Sequence, residues 1–257
     1  MHVHSTLSDG LDSPEDLVAS AARCLSVLSI CDHDTLAAYD RLPANPGVSI
    51  LPGVELSSMV GEHSVHVLGY FPRGFPAGFR SEVAKLASDR RGRIELGVKR
   101  LRDRGVPLRW QALLDTAGDG VPCRSHVARA LLNTGVARSA QAVFARYLRG
   151  PEFPKPDLTG PAAIELVRDH GGVPVWAHPP VAQLDSVGRL LVEAGLAGVE
   201  AHVPGDARRR RALREFASRH GLIETGGTDH HGVSPKRRLG WFSVPLELYP
   251  AELRVEE

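Results

Sequence analysis

Short apolar and β-branched runs alternate with helical stretches along most of the 257 residues, and this alternation constrains the fold more than any other feature. Six runs have the length and composition of strands: Val27 to Cys31, Val48 to Leu51, Ser64 to Phe71, Val173 to Ala177, Gly198 to Ala201 and Leu222 to Thr225. Met1 to Ser5 is predicted as a first strand, and Trp241 to Val244 is a candidate for the last. Strands alternating with helices predict an α/β fold with a mainly parallel sheet and helices outside it.

Helix start signals mark the segments between these runs. Ser13 is suited to an N-cap and is followed by Pro14 in the first helical position. Pro161 and Asp206 similarly predict the starts of two later helices.

The alternation stops between Phe75 and Pro156. This stretch contains helical patterns at Arg80 to Arg104 and Ser125 to Thr134, and it has no convincing strand. Residues 73–149 carry 14 Arg and 2 Lys against 6 Asp plus Glu, whereas the rest of the chain is acidic. We therefore predict that residues 1–74 and 157–257 form one domain, with a basic helical insertion, 75–156, that caps the candidate site of that domain. A basic surface beside the site would attract an anionic substrate.

Several classes of protein are disfavoured by composition. No apolar run approaches the roughly 18 residues of a membrane span, and no signal-peptide pattern is present, so we expect a cytoplasmic protein without a membrane partner. Cys24, Cys31 and Cys123 are widely spaced, which indicates neither a disulfide framework nor a zinc knuckle. The absence of helix-turn-helix, zinc-finger and basic-zipper signatures argues against sequence-specific binding of duplex DNA. The sequence does not indicate an oligomeric state.

Histidines and acids gather at the ends of the predicted strands. His2 and His4 lie one residue apart, so in a strand both imidazoles project from the same face. Because the carboxyl ends of parallel strands in a barrel meet at one mouth, residues distant in sequence converge there. Nine residues are candidate metal ligands: His2, His4, Asp9, His33, Glu55, His66, His126, Asp229 and His231.

This ligand set indicates more than one divalent metal ion. Imidazoles with a few carboxylates suit manganese, iron or zinc, and we expect manganese. One ion takes roughly four to six ligands, so nine candidates imply two or three ions. Glu55 is the candidate for a bridging carboxylate, because it is the only acid at the end of its predicted strand.

The ordered motifs resemble the PHP (polymerase and histidinol phosphatase) superfamily over nearly the whole chain. The motifs are His2-x-His4, Asp9-Gly10, Asp32-His33-Asp34, Gly53-Val54-Glu55, His66 before Gly69, Arg124-Ser125-His126, Ala177-His178-Pro179 and Asp229-His230-His231. The insertion with its Arg-Ser-His motif is similar to the branch of nucleoside 3′,5′-bisphosphate phosphatases and related 5′-to-3′ exoribonucleases.

The resemblance implies a distorted (β/α)7 barrel with three metals at its mouth. The implied ligand sets are His2, His4, Glu55 and Asp229 for one metal, Glu55, His66 and His126 for the second, and Asp9, His33 and His231 for the third. The phosphate-binding positions of the branch match Arg124, Arg129 and His178.

Phosphoester hydrolysis follows from such a site, since paired metals activate water and polarise a phosphoryl oxygen. Glu55, His178 and Asp229 are the predicted catalytic residues. His178 either binds the phosphate or protonates the leaving alcohol, and a packing role in the core remains an alternative. Arg124 and Arg129 suit phosphate because a guanidinium forms a planar fork of donors.

The predicted substrate is a nucleoside 3′,5′-bisphosphate that loses its 3′-phosphate, with short 5′-phosphorylated oligoribonucleotides as an extension. The basic insertion favours it, because a second phosphate requires a second cationic pocket. Histidinol phosphate or another small phosphomonoester is an alternative within enzymes. An alternative of another class is a catalytically silent, metal-bound module that binds nucleic acid or a partner protein.

Overall fold

Seven strands form two sheets in this computed structural model, which describes residues 1–234, 237–241 and 244–255. The two-stranded sheet pairs β1 (Val27–Leu28) with β2 (Ser49–Ile50) in parallel. The larger sheet has the order β3-β4-β5-β6-β7. Its strands are β3 (Gly53–Val60), β4 (His63–Tyr70), β5 (Val173–Trp176), β6 (Gly198–His202) and β7 (Ile223–Gly226).

The N-terminal segment connects the two sheets by single bridges and not by a full strand. Val3 forms parallel bridges with Ile30, beyond β1, and with His230, beyond β7. A further parallel bridge joins His33 to Glu55 in β3. The predicted strand Met1 to Ser5 is therefore observed only as these bridges. Trp241 to Val244 includes residues 242 and 243, which lie outside the described part of the chain.

β3 and β4 form an antiparallel hairpin, which departs from the predicted mainly parallel sheet. Their connection is the two-residue turn Gly61–Glu62, and a turn this short forces antiparallel pairing. Gly61 has a φ of 55°, in the left-handed region that glycine adopts without strain. β4 also pairs antiparallel with β5, whereas β5, β6 and β7 are parallel. Glu55 therefore lies within a strand, where the sequence had placed it after one.

The helices begin where their capping residues predict. The Ser13 hydroxyl accepts a hydrogen bond from the amide of Asp16, and a carboxylate oxygen of Asp206 accepts one from the amide of Arg209. Thr159, ahead of Pro161, caps the third of these helices. The helices outside the insertion are α1 (Pro14–Ala21), α6 (Gly160–Asp169), α7 (Arg189–Glu193) and α8 (Ala207–His220). None of the described helices combines the length and apolar character that crossing a membrane requires.

The stretch from 75 to 156 is described throughout and contains helices but no strand. They are α2 (Ala77–Asp103), α3 (Trp110–Ala117), α4 (Arg124–Asn133) and α5 (Ala140–Val143). The stretch has a hydrophobic core of its own, which includes Ile94, Leu113, Val127 and Phe153. The main core lies instead between the large sheet and the helices α6 and α8. The proposed boundaries of the insertion stay a prediction.

Candidate metal centre

His2 and His4 project together from the N-terminal segment. Their Nε2 atoms lie 3.1 Å apart and both side chains are fully buried, while Val3 packs into a hydrophobic cluster. Hydrogen bonds with residues after β7 fix this segment, since the amide of Asp229 donates to the carbonyl of His2. The two imidazoles therefore project from the same face of the segment, as the His-x-His spacing predicts.

Glu55 lies at the centre of the site, on the buried strand β3. The hairpin pairs Glu55 with Leu68, which makes His66 a diagonal neighbour of Glu55 across the two strands. Glu55 Oε1 lies 2.9 Å from His66 Nδ1 and 2.9 Å from His178 Nε2. Its Oε2 lies 3.0 Å from His33 Nδ1 and 3.2 Å from His4 Nε2. One carboxylate therefore contacts imidazoles from four separate segments.

Three groups of ligand-type atoms surround this carboxylate among the described residues. They are His4, Asp9, His33 and His231; His2, His4 and Asp229; and His33, Glu55 and His66. In the first group Asp9 Oδ1 lies 3.2 Å from His231 Nε2, and in the second Asp229 Oδ1 lies 3.3 Å from His4 Nε2. Eight of the nine predicted ligands thus converge.

The carboxylates of the site are held in their ionised form. Burial on its own raises the pKa of Asp9, Glu55 and Asp229, but the surrounding imidazoles outweigh it and hold all three pKa values below their ordinary range. Burial lowers the pKa of His33 to about 4. The carboxylates around His2 and His4 outweigh burial and raise the pKa of both, that of His4 to about 10, so a metal would displace protons from these two imidazoles. Anionic carboxylates and a neutral imidazole are the forms that bind a metal.

Unpartnered buried atoms show that these residues fit a divalent metal. Asp9 Oδ1, His33 Nδ1 and Glu55 Oε2 are buried without a hydrogen-bond partner among the described residues. Leaving one such atom unpartnered costs about 1–3 kcal/mol, so a folded protein normally provides a partner. Cations held by the groups that contain these residues would satisfy the three atoms.

His126 is the predicted ligand that the structure does not bring into these groups. It lies in the first turn of α4, where its Nδ1 accepts a hydrogen bond from the amide of Cys123, and its side chain is buried. Burial, together with the charge of Arg129, lowers its pKa to about 4. His178, which the sequence assigned to substrate or catalysis, instead contacts Glu55 directly.

Three non-glycine residues in the described part of the chain have a positive φ, and all lie at this site. They are Asp34 at 52°, His178 at 33° and Asp229 at 50°. Such backbone conformations cost about 1–3 kcal/mol each and concentrate at functional sites, where surrounding contacts impose them.

Glu200 and Asp32 are buried acids that the sequence analysis did not assign a role. Glu200 Oε1 lies 3.1 Å from His2 Nδ1, and its Oε2 accepts a hydrogen bond from the amide of His178. Asp32 accepts hydrogen bonds from Ser5 and Ser8, which fixes the loop that leads to Asp9. Glu200 could have been identified from the sequence, because it is the acid within the predicted strand Gly198 to Ala201. A carboxylate buried in a strand needs a partner.

A cavity of about 150 Å³ adjoins the cluster on the side of the insertion. Asp9, His33 and His66 line it at the cluster, and its cationic lining residues are Arg90, Arg93, Arg124 and Lys155. Arg90 pairs with Asp34 at 2.9 Å, whereas the other three cations have no hydrogen-bond or ion-pair partner among the described residues. Burial and the charge of Arg90 lower the pKa of Arg93 and of Arg124. The cavity therefore carries three cations without a direct partner among the described residues, although Asp9 lines it and Asp34, Asp89 and Asp157 lie near Arg93.

Arg129 lies apart from this cavity. It lines a separate one of about 250 Å³, together with Arg41, Asp119 and His126. Its Nε is buried without a hydrogen-bond partner among the described residues. The two arginines that the sequence grouped as phosphate ligands, Arg124 and Arg129, thus line different cavities.

Comparison with known proteins gives relatives that span almost the whole chain, although no family model matches. The chain is 31% identical to the 5′-3′ exoribonuclease Rnm of Salmonella typhimurium over 265 residues, which cover 96% of this chain and 90% of that protein. The chain belongs to the family of PHP-like metal-dependent phosphoesterases. The resemblance stated from the motifs is thereby confirmed.

Other members of the PHP-like family differ in the substrates they are named for. The 3′,5′-nucleoside bisphosphate phosphatase of Chromobacterium violaceum is 31% identical over 90% of this chain and 86% of its own length. The phosphoribosyl 1,2-cyclic phosphate 1,2-diphosphodiesterase of Eggerthella lenta is 33% identical over 95% of this chain and 98% of its own length.

A solved structure supports the same fold assignment. It is named for a metal-dependent phosphoesterase of Bifidobacterium adolescentis and superposes with a TM-score of 0.78 at 29% identity, covering 91% of this chain and 88% of that one. The α/β fold of this chain is therefore that of PHP-like phosphoesterases.

Proposed function

We propose that this phosphoesterase removes the 3′-phosphate from a nucleoside 3′,5′-bisphosphate and also acts on short 5′-phosphorylated oligoribonucleotides. The observation that carries the proposal is the cation-lined cavity directly beside the buried metal-ligand cluster. The exoribonuclease and bisphosphate phosphatase relatives support the same substrate class. We further propose that the single bridges of Val3 and His33 close the two sheets into the distorted barrel that the resemblance implies.

The proposed ligand sets start from the three observed groups and modify them, with Glu55 added to the second group and His178 in place of His33 in the third. His2, His4, Glu55 and Asp229 would hold one ion, and Asp9, His33 and His231 would hold another. For the remaining ion we propose Glu55 and His66 with His178 in place of His126, because His178 lies 2.9 Å from Glu55 and His126 caps α4. Paired metals, when bound, supply an activated water near neutral pH and a Lewis acid for the phosphoryl oxygen. Manganese, iron and zinc all suit these donors, and manganese is our expectation.

The residues of the chain orient the substrate around that centre. Arg124 and Arg93, half-buried in the cavity wall, and Lys155 on its rim would bind the second phosphate, the 5′-phosphate. Cations without a direct ion-pair partner in a partly desolvated cavity favour a ligand with compensating charge. Arg129, in its own cavity beside Asp9, would contribute positive potential to the approach. Glu55 and Asp229 act by holding the metals.

Histidinol phosphate and other monoesters are poorer candidates, because a single phosphate leaves the cations of the cavity unneutralised. A silent module is disfavoured, since eight of the nine predicted ligand residues converge with unpartnered buried atoms among them. A cyclic phosphate diester of phosphoribose is the second candidate, which the 33% identity to the Eggerthella lenta enzyme favours. It also carries a phosphate besides the one that reacts.

A chromatographic time course of the manganese-loaded protein tests the proposal. With adenosine 3′,5′-bisphosphate we expect 5′-AMP and inorganic phosphate, and no 3′-AMP. Turnover of phosphoribosyl 1,2-cyclic phosphate without turnover of the bisphosphate would contradict the proposal and support the second candidate. Absence of turnover on either, with metal confirmed bound, would support the silent module.

Arg93→Gln tests the role of the cavity, with Arg102→Gln on the same helix α2 as the matched control. The Arg102 side chain is exposed and forms no hydrogen bond or ion pair with a described residue. We expect Arg93→Gln to raise KM for the bisphosphate about tenfold, the effect of one charge-assisted contact, and to leave KM for 3′-AMP nearly unchanged. Equal effects on both substrates would contradict a subsite for the 5′-phosphate.

A further inference from the structure

Four consecutive arginines, Arg208 to Arg211, open α8, and the proposed function uses none of them. Two have partners close by in the chain. The guanidinium of Arg210 donates to the carbonyl of Gly205, and that of Arg211 donates to Glu215 Oε1 at 2.7 Å. The Arg208 side chain is exposed and forms no hydrogen bond or ion pair with a described residue.

Arg209 connects this run to the metal-ligand cluster. Its Nη2 donates to the backbone carbonyl of His178 at 3.2 Å, and His178 Nε2 lies 2.9 Å from Glu55. Arg209 is half-buried and forms no ion pair with a described carboxylate. A guanidinium with most of its N–H donors unused therefore lies one residue away from the centre of the site.

The arginines and the cation-lined cavity flank different parts of the cluster. His33 and His66 line the cavity, whereas His178 and Arg209 do not. The rings of His66 and His178 are 5.2 Å apart, edge to face, and both contact Glu55 Oε1. Contacts thus lead from the cavity through His66 and His178 to Arg209. A substrate with its 5′-phosphate in the cavity and its reacting phosphate at Glu55 would continue on the His178 side.

We propose that Arg208 and Arg209 bind the phosphate backbone of an oligoribonucleotide on the 3′ side of the bond that is cleaved, an inference that rests on the proposed function. In both proposed substrates water adds to phosphorus, and the bond from phosphorus to the 3′-oxygen breaks. The 3′-oxygen takes up a proton, and the phosphate departs as inorganic phosphate or as the new 5′-phosphate of the shortened chain. Only the oligonucleotide extends past this phosphate, so only it reaches the two arginines. Cationic side chains along a single strand bind it without regard to sequence.

Comparison of two substrates tests this inference. We would measure kcat/KM for adenosine 3′,5′-bisphosphate and for 5′-phosphorylated tetra-adenylate with wild type, Arg208→Gln, Arg209→Gln and the control Arg211→Gln. We expect the ratio of tetranucleotide to bisphosphate activity to fall about tenfold in the first two variants and to stay constant in the control. The salt dependence of the tetranucleotide reaction should become shallower by about 0.7 in log–log slope for each arginine–phosphate pair that a substitution removes.

Unchanged ratios in Arg208→Gln and Arg209→Gln would overturn the inference. An equal loss on both substrates in Arg209→Gln would also count against it, because that pattern assigns Arg209 to positioning His178. If the activity ratio fell equally in Arg211→Gln, the effect would come from the loss of positive charge in general and not from a site at Arg208 and Arg209, which would contradict the inference. Wild type that is active on the bisphosphate and inactive on the tetranucleotide would refute this inference and the oligonucleotide part of the proposed function, but not the bisphosphate phosphatase. Inactivity on both substrates would refute the whole proposed function.

Discussion

At the scale of single residues, Glu55 organises the centre of this phosphoesterase. Its two oxygens contact imidazoles on the N-terminal segment, beyond β1, on β4 and beyond β5. The positive φ of His178 is part of this arrangement, since it accompanies the hydrogen bond from the His178 amide to Glu200. His178 is therefore placed by its backbone as well as by its ring.

A pair of variants separates the two candidates for the third ligand. We expect His178→Asn to lower the metal content of the purified protein by about one ion per chain and to abolish most activity, because a ligand is removed. His126→Asn should keep the metal content and lower stability by about 1 kcal/mol, the usual effect of removing a helix cap. Metal analysis with a urea denaturation curve checks both. Loss of metal in His126→Asn with metal retained in His178→Asn would contradict this assignment and identify His126 as the ligand.

The sequence identifies most of the side chains that lie together in the cluster, but not how they are grouped. The His2-x-His4 geometry is a local consequence of backbone alternation, and it is present in the structure. The placement of His178 against Glu55 depends on how β4 pairs with β3 and β5, and no local pattern encodes that pairing. His126 looked equivalent to the other histidines because its helix-capping hydrogen bond to Cys123 is visible only in three dimensions.

At the scale of elements, helix α2 is the connection between the insertion and the site. Arg90, in the middle of α2 and buried, pairs with Asp34 and also donates to the Ser57 hydroxyl on β3. Asp34 in turn accepts a hydrogen bond from the amide of Ser57. This network fixes the helix that carries Arg93 against the strand that carries Glu55.

Removal of one partner of this buried pair should be strongly destabilising. We expect Arg90→Met to lower the free energy of unfolding by about 3–5 kcal/mol, because Asp34 is left buried without its counter-ion. Lys85→Met on the same helix is the control, since Lys85 pairs with Glu82 at an exposed position and its removal costs at most about 1 kcal/mol. Urea denaturation measures both. Similar losses of stability in the two variants would show that α2 is not anchored through Arg90.

Element types were easier to predict than their pairing. The caps at Ser13 and Asp206 are local signals, and both helices begin there. The eight-residue strand Gly53–Val60 was missed, because its alternation of apolar and polar side chains spans only residues 54–57 and all eight residues are buried. The antiparallel hairpin was missed with it.

At the scale of the whole molecule, charge is divided between the parts that meet at the site. The basic stretch from 73 to 149 supplies all three arginines of the cavity, while the acidic remainder supplies the carboxylates of the cluster. The cavity lies where the two meet, so an anionic substrate would contact metals on one side and guanidinium groups on the other. The charge asymmetry was visible in the sequence, but the separation of Arg124 from Arg129 was not.

The proposed chemistry depends on the buried histidines and carboxylates around Glu55 forming a multinuclear metal centre. The decisive experiment is an anomalous difference map, recorded at the manganese absorption edge from crystals grown with manganese. We expect two or three peaks, each within coordination distance of one of the three ligand groups and at least one adjacent to Glu55. A map with no peak at the cluster, or with a single peak remote from Glu55, would contradict a multinuclear centre at this site.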